Sequence, residues 1–196
     1  MIPQTFIFFG PSGSGKGTQA KLLVETLNKM DPKRTVLYLE TGQRFREFSK
    51  QASYTAKKTK EVIESGGLMP EFLPIWIWTQ FFVDHISGDE HIILDGISRR
   101  AHEALIIDSA MQFYGRKEPV VVSIELSPES AIKRMKDRGR TDDSEEEIKR
   151  RLNWYEENVV PAINHFKNNP YYKFIPINGE GTIEEVHQEI LEKIGL

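Results

Sequence analysis

The sequence predicts an α/β protein built on a doubly wound, parallel five-stranded sheet. Three observations predict it. Short apolar runs of strand length alternate with longer segments of helical period across the 196 residues. Most of these runs are continuously apolar, as strands covered on both faces read. The first run opens directly into Gly10-Pro11-Ser12-Gly13-Ser14-Gly15-Lys16-Gly17-Thr18, a glycine-rich turn leading into a helix.

The strand candidates are Thr5–Phe9, Thr35–Leu39, His91–Leu94, Val120–Leu126 and Phe174–Ile177. The first helix, Gly15–Asn28, carries an inner stripe of Leu22, Leu23 and Leu27. Tyr54–Ser65 is closed by Gly66-Gly67, and Glu71–Ile86 begins just after Pro70. Arg100–Tyr114 stops at Gly115. Pro128–Asp137 follows Ser127, a good N-cap with proline at the first helical position. Ser144–Asn168 opens on a capping box of Ser144 with Glu147, and a kink is expected near Pro161. Thr182–Ile194 carries the same box, Thr182 with Glu185.

The segment Thr41 to Ile86 holds more helix than a crossover between two strands needs. It reads as an excursion from the sheet that carries function. The expected organisation is one domain, with a core of residues 1–40 and 87–196, an insert over about 41–86 and a short charged turn over about 138–143.

A hydrophobic fraction of 39% is enough to bury an ordinary core. The net charge of -3 gives no global basic field, which argues against nucleic acid or a membrane surface as a partner. Any anion site must come from local clusters of Arg and Lys. The chain has no cysteine, which excludes disulfides, thiolate metal sites and cysteine nucleophiles. The N-terminus runs into a strand without the pattern of a leader, so a cytoplasmic protein is expected. The apolar stretch from Phe72 to Ile86 is too short and too polar to span a bilayer.

The glycine-rich turn is a phosphate cradle. Its glycines let consecutive N–H groups point at one anion, and the helix after it adds unpaired N–H groups and the positive end of its dipole. Lys16 brings a full charge to the outer phosphates. The hydroxyl that follows such a lysine is displaced by one residue here, to Thr18. Asp95 ends an apolar strand, where an acid faces the nucleotide crevice and would hold Mg²⁺ directly or through water. Arg46, Arg99, Arg134, Arg138, Arg140 and Arg151 are scattered beside glycines and turns. Singly, such an arginine is more often a solvated surface group. Together with the cradle they suit phosphoryl transfer between two nucleotides, whose transferring group carries charge on three oxygens.

These motifs, in order along essentially the whole chain, resemble those of adenylate kinases and other nucleoside monophosphate kinases. Gly10 to Gln19 is similar to that family's loop, including Gly-Thr-Gln after the lysine. Thr41-Gly42-Gln43-Arg44-Phe45-Arg46 resembles its Thr-Gly-Asp-x-x-Arg. Gly67-Leu68-Met69-Pro70-Glu71 and Asp95-Gly96-Ile97-Ser98-Arg99 resemble two further motifs. Gly139-Arg140-Thr141-Asp142-Asp143 resembles the stretch after its lid, and Asn178-Gly179-Glu180-Gly181 the turn against the donor base.

The resemblance implies a P-loop core with a helical insert for the acceptor and a short lid. It implies reversible transfer of the ATP γ-phosphoryl group to a nucleoside monophosphate, AMP first, by a monomeric enzyme using Mg²⁺ with ATP. It assigns Ser12, Gly13, Ser14, Gly15, Lys16, Gly17 and Thr18 to the donor phosphates. Arg134, Arg138 and Gly181 would flank the donor. Thr41, Arg46 and Arg99 would hold the acceptor, and Met69, Gly96 and Glu103 would line its base. Arg140 and Arg151 would clamp the transferring group, with Lys16 and Arg99 also in the catalytic set. Asp95 would hold the metal through water, with Thr18 as a second candidate.

Three departures stand out. Gln43 replaces an acid, Ser98 replaces a proline that usually follows a cis bond, and Glu103 replaces an adenine-reading glutamine. A trans Ile97–Ser98 bond is expected, since cis costs about 2.5–4 kcal/mol for a serine. An ionised Glu103 can only accept, which suits guanine better than adenine. Guanylate or pyrimidine monophosphate kinase activity is therefore the alternative. A P-loop NTPase serving as a regulatory or assembly module, with a decayed acceptor site, is the alternative of another class.

Overall fold

The computed structural model describes residues 1–139 and 144–196. In chain order its elements are β1 (Thr5–Phe9), α1 (Lys16–Met30), β2 (Val36–Glu40), α2 (Thr41–Phe48), α3 (Tyr54–Glu64), α4 (Phe72–His85) and β3 (His91–Asp95). There follow α5 (Ala101–Phe113), β4 (Val120–Glu125), α6 (Pro128–Arg138), α7 (Glu145–Trp154), a π-helical turn (Tyr155–Val159), α8 (Val160–Asn168), β5 (Lys173–Asn178) and α9 (Ile183–Ile194).

The five strands lie parallel in the order β2-β3-β1-β4-β5. β1 is central, and all five of its residues are buried. Alternate residues face opposite sides. Phe6 and Phe8 pack with Leu23, Leu27, Val186 and Ile190 of α1 and α9. Ile7 and Phe9 pack on the other face with Trp78, Phe82, Ile107 and Phe166 of α4, α5 and α8. Full burial of each such side chain stabilises by about 1.5–3 kcal/mol. The register sets Phe8 beside Asp95, and Glu40 beside Asp95, so the carboxyl ends of β1, β2 and β3 stand level. In an open α/β sheet, ligands bind at that edge.

The segment between β2 and β3 holds α2, α3 and α4. It has its own small cluster of Phe45, Met69, Leu73 and Ile77. α4 also places Trp78, Phe81 and Phe82 in the main core, so the insert is seated through a shared helix. β2 runs one residue later than expected at both ends, because Glu40 pairs with the last residue of β3.

The capping boxes at Ser144 and Thr182 form as the sequence predicts. The long helix expected over 144–168 is divided into α7, the π turn and α8. The break falls immediately before Pro161. That residue has no N–H to donate backwards, and its ring crowds the carbonyl four residues earlier. The widened turn takes up the misfit.

Candidate active site

One cleft of about 380 Å³ opens at the carboxyl edge of the sheet. Its floor is the loop after β1. Gly13 stands at φ +88, in the left-handed region, and a Cβ there would lie 2.8 Å from the Ala131 carbonyl. Gly15 is the N-cap of α1 at φ +83. Glycine meets both demands without strain. Ser12, Gly13, Gly15, Lys16, Gly17 and Thr18 line the cleft at the start of α1, whose exposed N–H groups and dipole favour an anion. Ser14 is buried behind the loop, and its hydroxyl has no hydrogen-bond partner. Lys16 Nζ donates to Pro11 O at 3.4 Å.

A Cβ on Gly17 would meet Asp95 Oδ2 at 3.1 Å. The Asp95 carboxylate therefore occupies the space that a side chain after the lysine would need. That accounts for the displacement of the hydroxyl to Thr18. Burial pushes the Asp95 carboxyl up, and the nearby charge of Lys16 pulls it down. Asp95 Oδ1 is buried without a partner, while Oδ2 accepts from Tyr38 Oη at 3.5 Å.

This donor set fits Mg²⁺ brought by a nucleotide. Such an ion keeps several waters and uses one or two carboxylates with phosphate oxygens. Among the described residues no group of three His, Cys, Asp or Glu could cage a metal alone.

Arg46, Arg99, Arg134, Arg138 and Arg151 all line the cleft. A Cβ placed on Gly42 would lie 3.4 Å from Arg46 Nη1 and 3.9 Å from Arg99 Nη2, so these two guanidiniums converge over the bare backbone of Gly42. Burial pushes the Arg99 guanidinium down, the charges of Glu103 and Asp95 oppose this, and those of Arg151 and Arg46 add to it. Like charges gathered this closely are stabilised by an anion between them. Arg46 is held by Glu40 Oε1, which accepts from Nη2 at 2.9 Å, and by Gln43 Oε1, which accepts from Nε at 3.1 Å. Arg134 donates to the carbonyls of Glu180 and Gly181 at 3.4 Å, tying α6 to the turn before α9.

Met69 and Gly96 line the cleft. Thr41, Glu103 and Gly181 lie behind its lining. Thr41 is buried at the start of α2, its hydroxyl without a partner. Gly181 accepts from Arg134 through its carbonyl. Glu103 is fully buried in the first turn of α5. Its Oε2 accepts the Arg99 N–H at 2.9 Å, and burial pushes its carboxyl up. The reason is the turn before it. Ser98 adopts φ +54, and no described peptide bond is cis, as expected for Ile97–Ser98. The turn directs the Arg99 N–H at Glu103. The roles expected of Arg140, and of the turn through Thr141, Asp142 and Asp143, fall outside the described residues.

Other cleft residues escaped the sequence reading. Glu40 and Lys21 line it as an ion pair at 3.5 Å. Trp154, Tyr155 and Val159 form an apolar wall. One signal was available: Trp154 and Tyr155 lie three and four residues beyond Arg151, on the same side of a helix.

A family model described as adenylate kinase matches residues 8–171. The chain belongs to the adenylate kinase family. It is 31% identical to adenylate kinase 1 of Nostoc sp., over 96% of this chain and 97% of the relative. It is 32% identical to the adenylate kinase of Corynebacterium aurimucosum, over 97% and 98%. The figure is 33% for that of Bacteroides thetaiotaomicron, over 96% of each. The full-length match accounts for the phosphate loop, the helical insert and the arginines on one cleft. As an adenylate kinase family member the chain is a nucleoside monophosphate kinase. No helix among the described residues is long and apolar enough to cross a membrane.

Proposed function

We propose that this protein transfers the γ-phosphoryl group of ATP to AMP, reversibly, giving two ADP. One observation carries the reading. A phosphate cradle and a converging set of arginines open onto a single cleft, so two anionic substrates can meet end to end. The loop from Ser12 to Thr18 holds the donor phosphates, and Lys16 neutralises the outermost. Arg134 and Arg138 flank the donor. Arg46 and Arg99 hold the acceptor phosphate, with Met69 and Gly96 beside its base. Arg151, with Arg140, meets charge on the transferring group. The acceptor phosphate is already ionised, so no general base is required. Alignment and fixed positive charge supply the rate.

Asp95, through water, would hold the Mg²⁺ that arrives with ATP, with Thr18 as the second candidate, and the ion would supply positive charge to the phosphates. The adenylate kinase relatives support a cytoplasmic enzyme.

The acceptor panel tests the proposal. Turnover with ATP is measured for AMP, GMP, CMP and UMP. The expected result is a kcat/KM for AMP at least tenfold above the rest, the scale on which one charged hydrogen bond discriminates. A preference for GMP or a pyrimidine monophosphate would overturn the choice of acceptor.

A further inference from the structure

Trp154 ends α7 on the wall of the cleft. Its ring lies under the Arg99 guanidinium, 5.6 Å from centroid to Cζ. Its Nε1 donates to Gly66 O, on the turn after α3, at 3.2 Å. One turn earlier, Arg150 donates to the carbonyl of Ser65. One turn earlier again, a Cβ on Gly66 would touch Glu147 at 3.1 Å. Residues 147, 150 and 154 thus form one face of α7, on which the insert turn is seated.

We propose that Trp154 is a positioning residue for the acceptor arginine. It holds the Arg99 guanidinium by its aromatic face and couples that position to the seating of the insert. The inference rests on the reading of Arg99 as an acceptor-phosphate ligand. A guanidinium held partly away from water needs partners that favour its charge. A carboxylate would fill the N–H edges that a phosphate must use. An aromatic face attracts the cation from the flat side and leaves those edges to the substrate. Arg99 Nε is already taken by Gly96 O at 3.2 Å, so the ring and this carbonyl together fix the plane. Nη2 then stays directed toward Gly42, where Arg46 converges. The hydrogen bond to Gly66 makes the platform sensitive to the insert: when the turn is seated, the ring is fixed.

The test compares Trp154→Leu, Trp154→Phe, Arg99→Ala and the Trp154→Leu/Arg99→Ala double variant. Trp154→Leu should raise the acceptor KM about 3- to 30-fold, while the donor KM and the thermal midpoint stay close to wild type. Trp154→Phe keeps a ring face and loses the N–H, so its acceptor KM should rise less than Trp154→Leu. In the Arg99→Ala background, Trp154→Leu should add less than twofold, because the ring acts through the arginine. AMP alone should change the tryptophan emission of wild type more than that of Trp154→Phe, which keeps Trp76 and Trp78 of α4. Equal rises in donor and acceptor KM would mark a merely structural role and overturn the proposal. Fully multiplicative effects in the double variant would do the same, since the ring would then touch the acceptor directly. If Arg99→Ala leaves the acceptor KM unchanged, the reading of Arg99 fails and this inference falls with it. If Arg99→Ala raises it and Trp154→Leu does not, the inference alone fails.

Discussion

Lys16 stands at the first residue of α1, with its ammonium reaching back over the loop toward Pro11 O. A preorganised charge at a transition state contributes about 3–4 kcal/mol. Lys16→Met should therefore lower kcat with ATP and AMP by about a hundredfold or more, with the circular dichroism spectrum retained. Near-normal turnover would remove the lysine from the site. Glu103 leads to the opposite expectation. Its Oε2 accepts the Arg99 N–H inside the first turn of α5, and its Oε1 is buried without a hydrogen-bond partner. Glu103→Gln should leave the AMP to GMP ratio of kcat/KM within about threefold, because an amide oxygen still accepts that bond. A tenfold shift toward AMP would show that Glu103 reads the base after all. The contrast explains what was legible. Lys16 and Arg99 sit at fixed offsets from the left-handed glycines Gly15 and Gly96, and Arg46 lies one helical turn after Gly42 in α2. The direction of Glu103 depends on φ at Ser98, a left-handed residue that the sequence pattern does not announce. Trp154 belongs to no motif in the sequence, and its contact is with an arginine distant in sequence.

At the scale of elements, the loop after β1 is shaped by contact with α6. Gly13→Ala would add a Cβ 2.8 Å from the Ala131 carbonyl at φ +88. A left-handed non-glycine costs about 1–3 kcal/mol, so the urea midpoint should fall and the ATP KM should rise together. An unchanged midpoint would contradict this packing. α6 is fixed at its own start by Glu180, which accepts from the Ser127 N–H at 2.8 Å and from the Ser130 hydroxyl at 2.7 Å. The backbone N–H of Ser127, then the Ser130 hydroxyl, lower its pKa from 4.5 to about 2. Between these values the unfolded chain binds more protons than the folded one, so this contribution to stability rises with pH. It is fully present above about pH 4.5 and is lost as pH falls through about 2. Thermal midpoints of wild type and Glu180→Gln should differ at pH 6 and draw together toward pH 3. A gap that stays constant with pH would exclude the link. Helices with an apolar stripe and a cap were legible in the sequence, as at Ser144 and Thr182. The π turn before Pro161 was legible only as a kink, since a proline marks where a helix is disturbed and not how the turn accommodates it.

At the scale of the whole molecule, the buried strands were legible because both faces of the sheet are covered. Their order in the sheet was not, because pairing between distant strands leaves no local pattern. What the order accomplishes is to bring β1, β2 and β3 to one level edge. The phosphate loop, Asp95 and the arginines of the insert and of α7 then face a single space. A space of this kind joins two nucleotides rather than admitting water to one. Phosphorus NMR of the protein with Mg²⁺ and equimolar ATP and AMP separates the two outcomes. Two ADP are expected for each ATP consumed, with AMP falling in step and no inorganic phosphate. Release of inorganic phosphate with AMP unchanged would contradict it, and would make the protein an NTPase with an idle acceptor site.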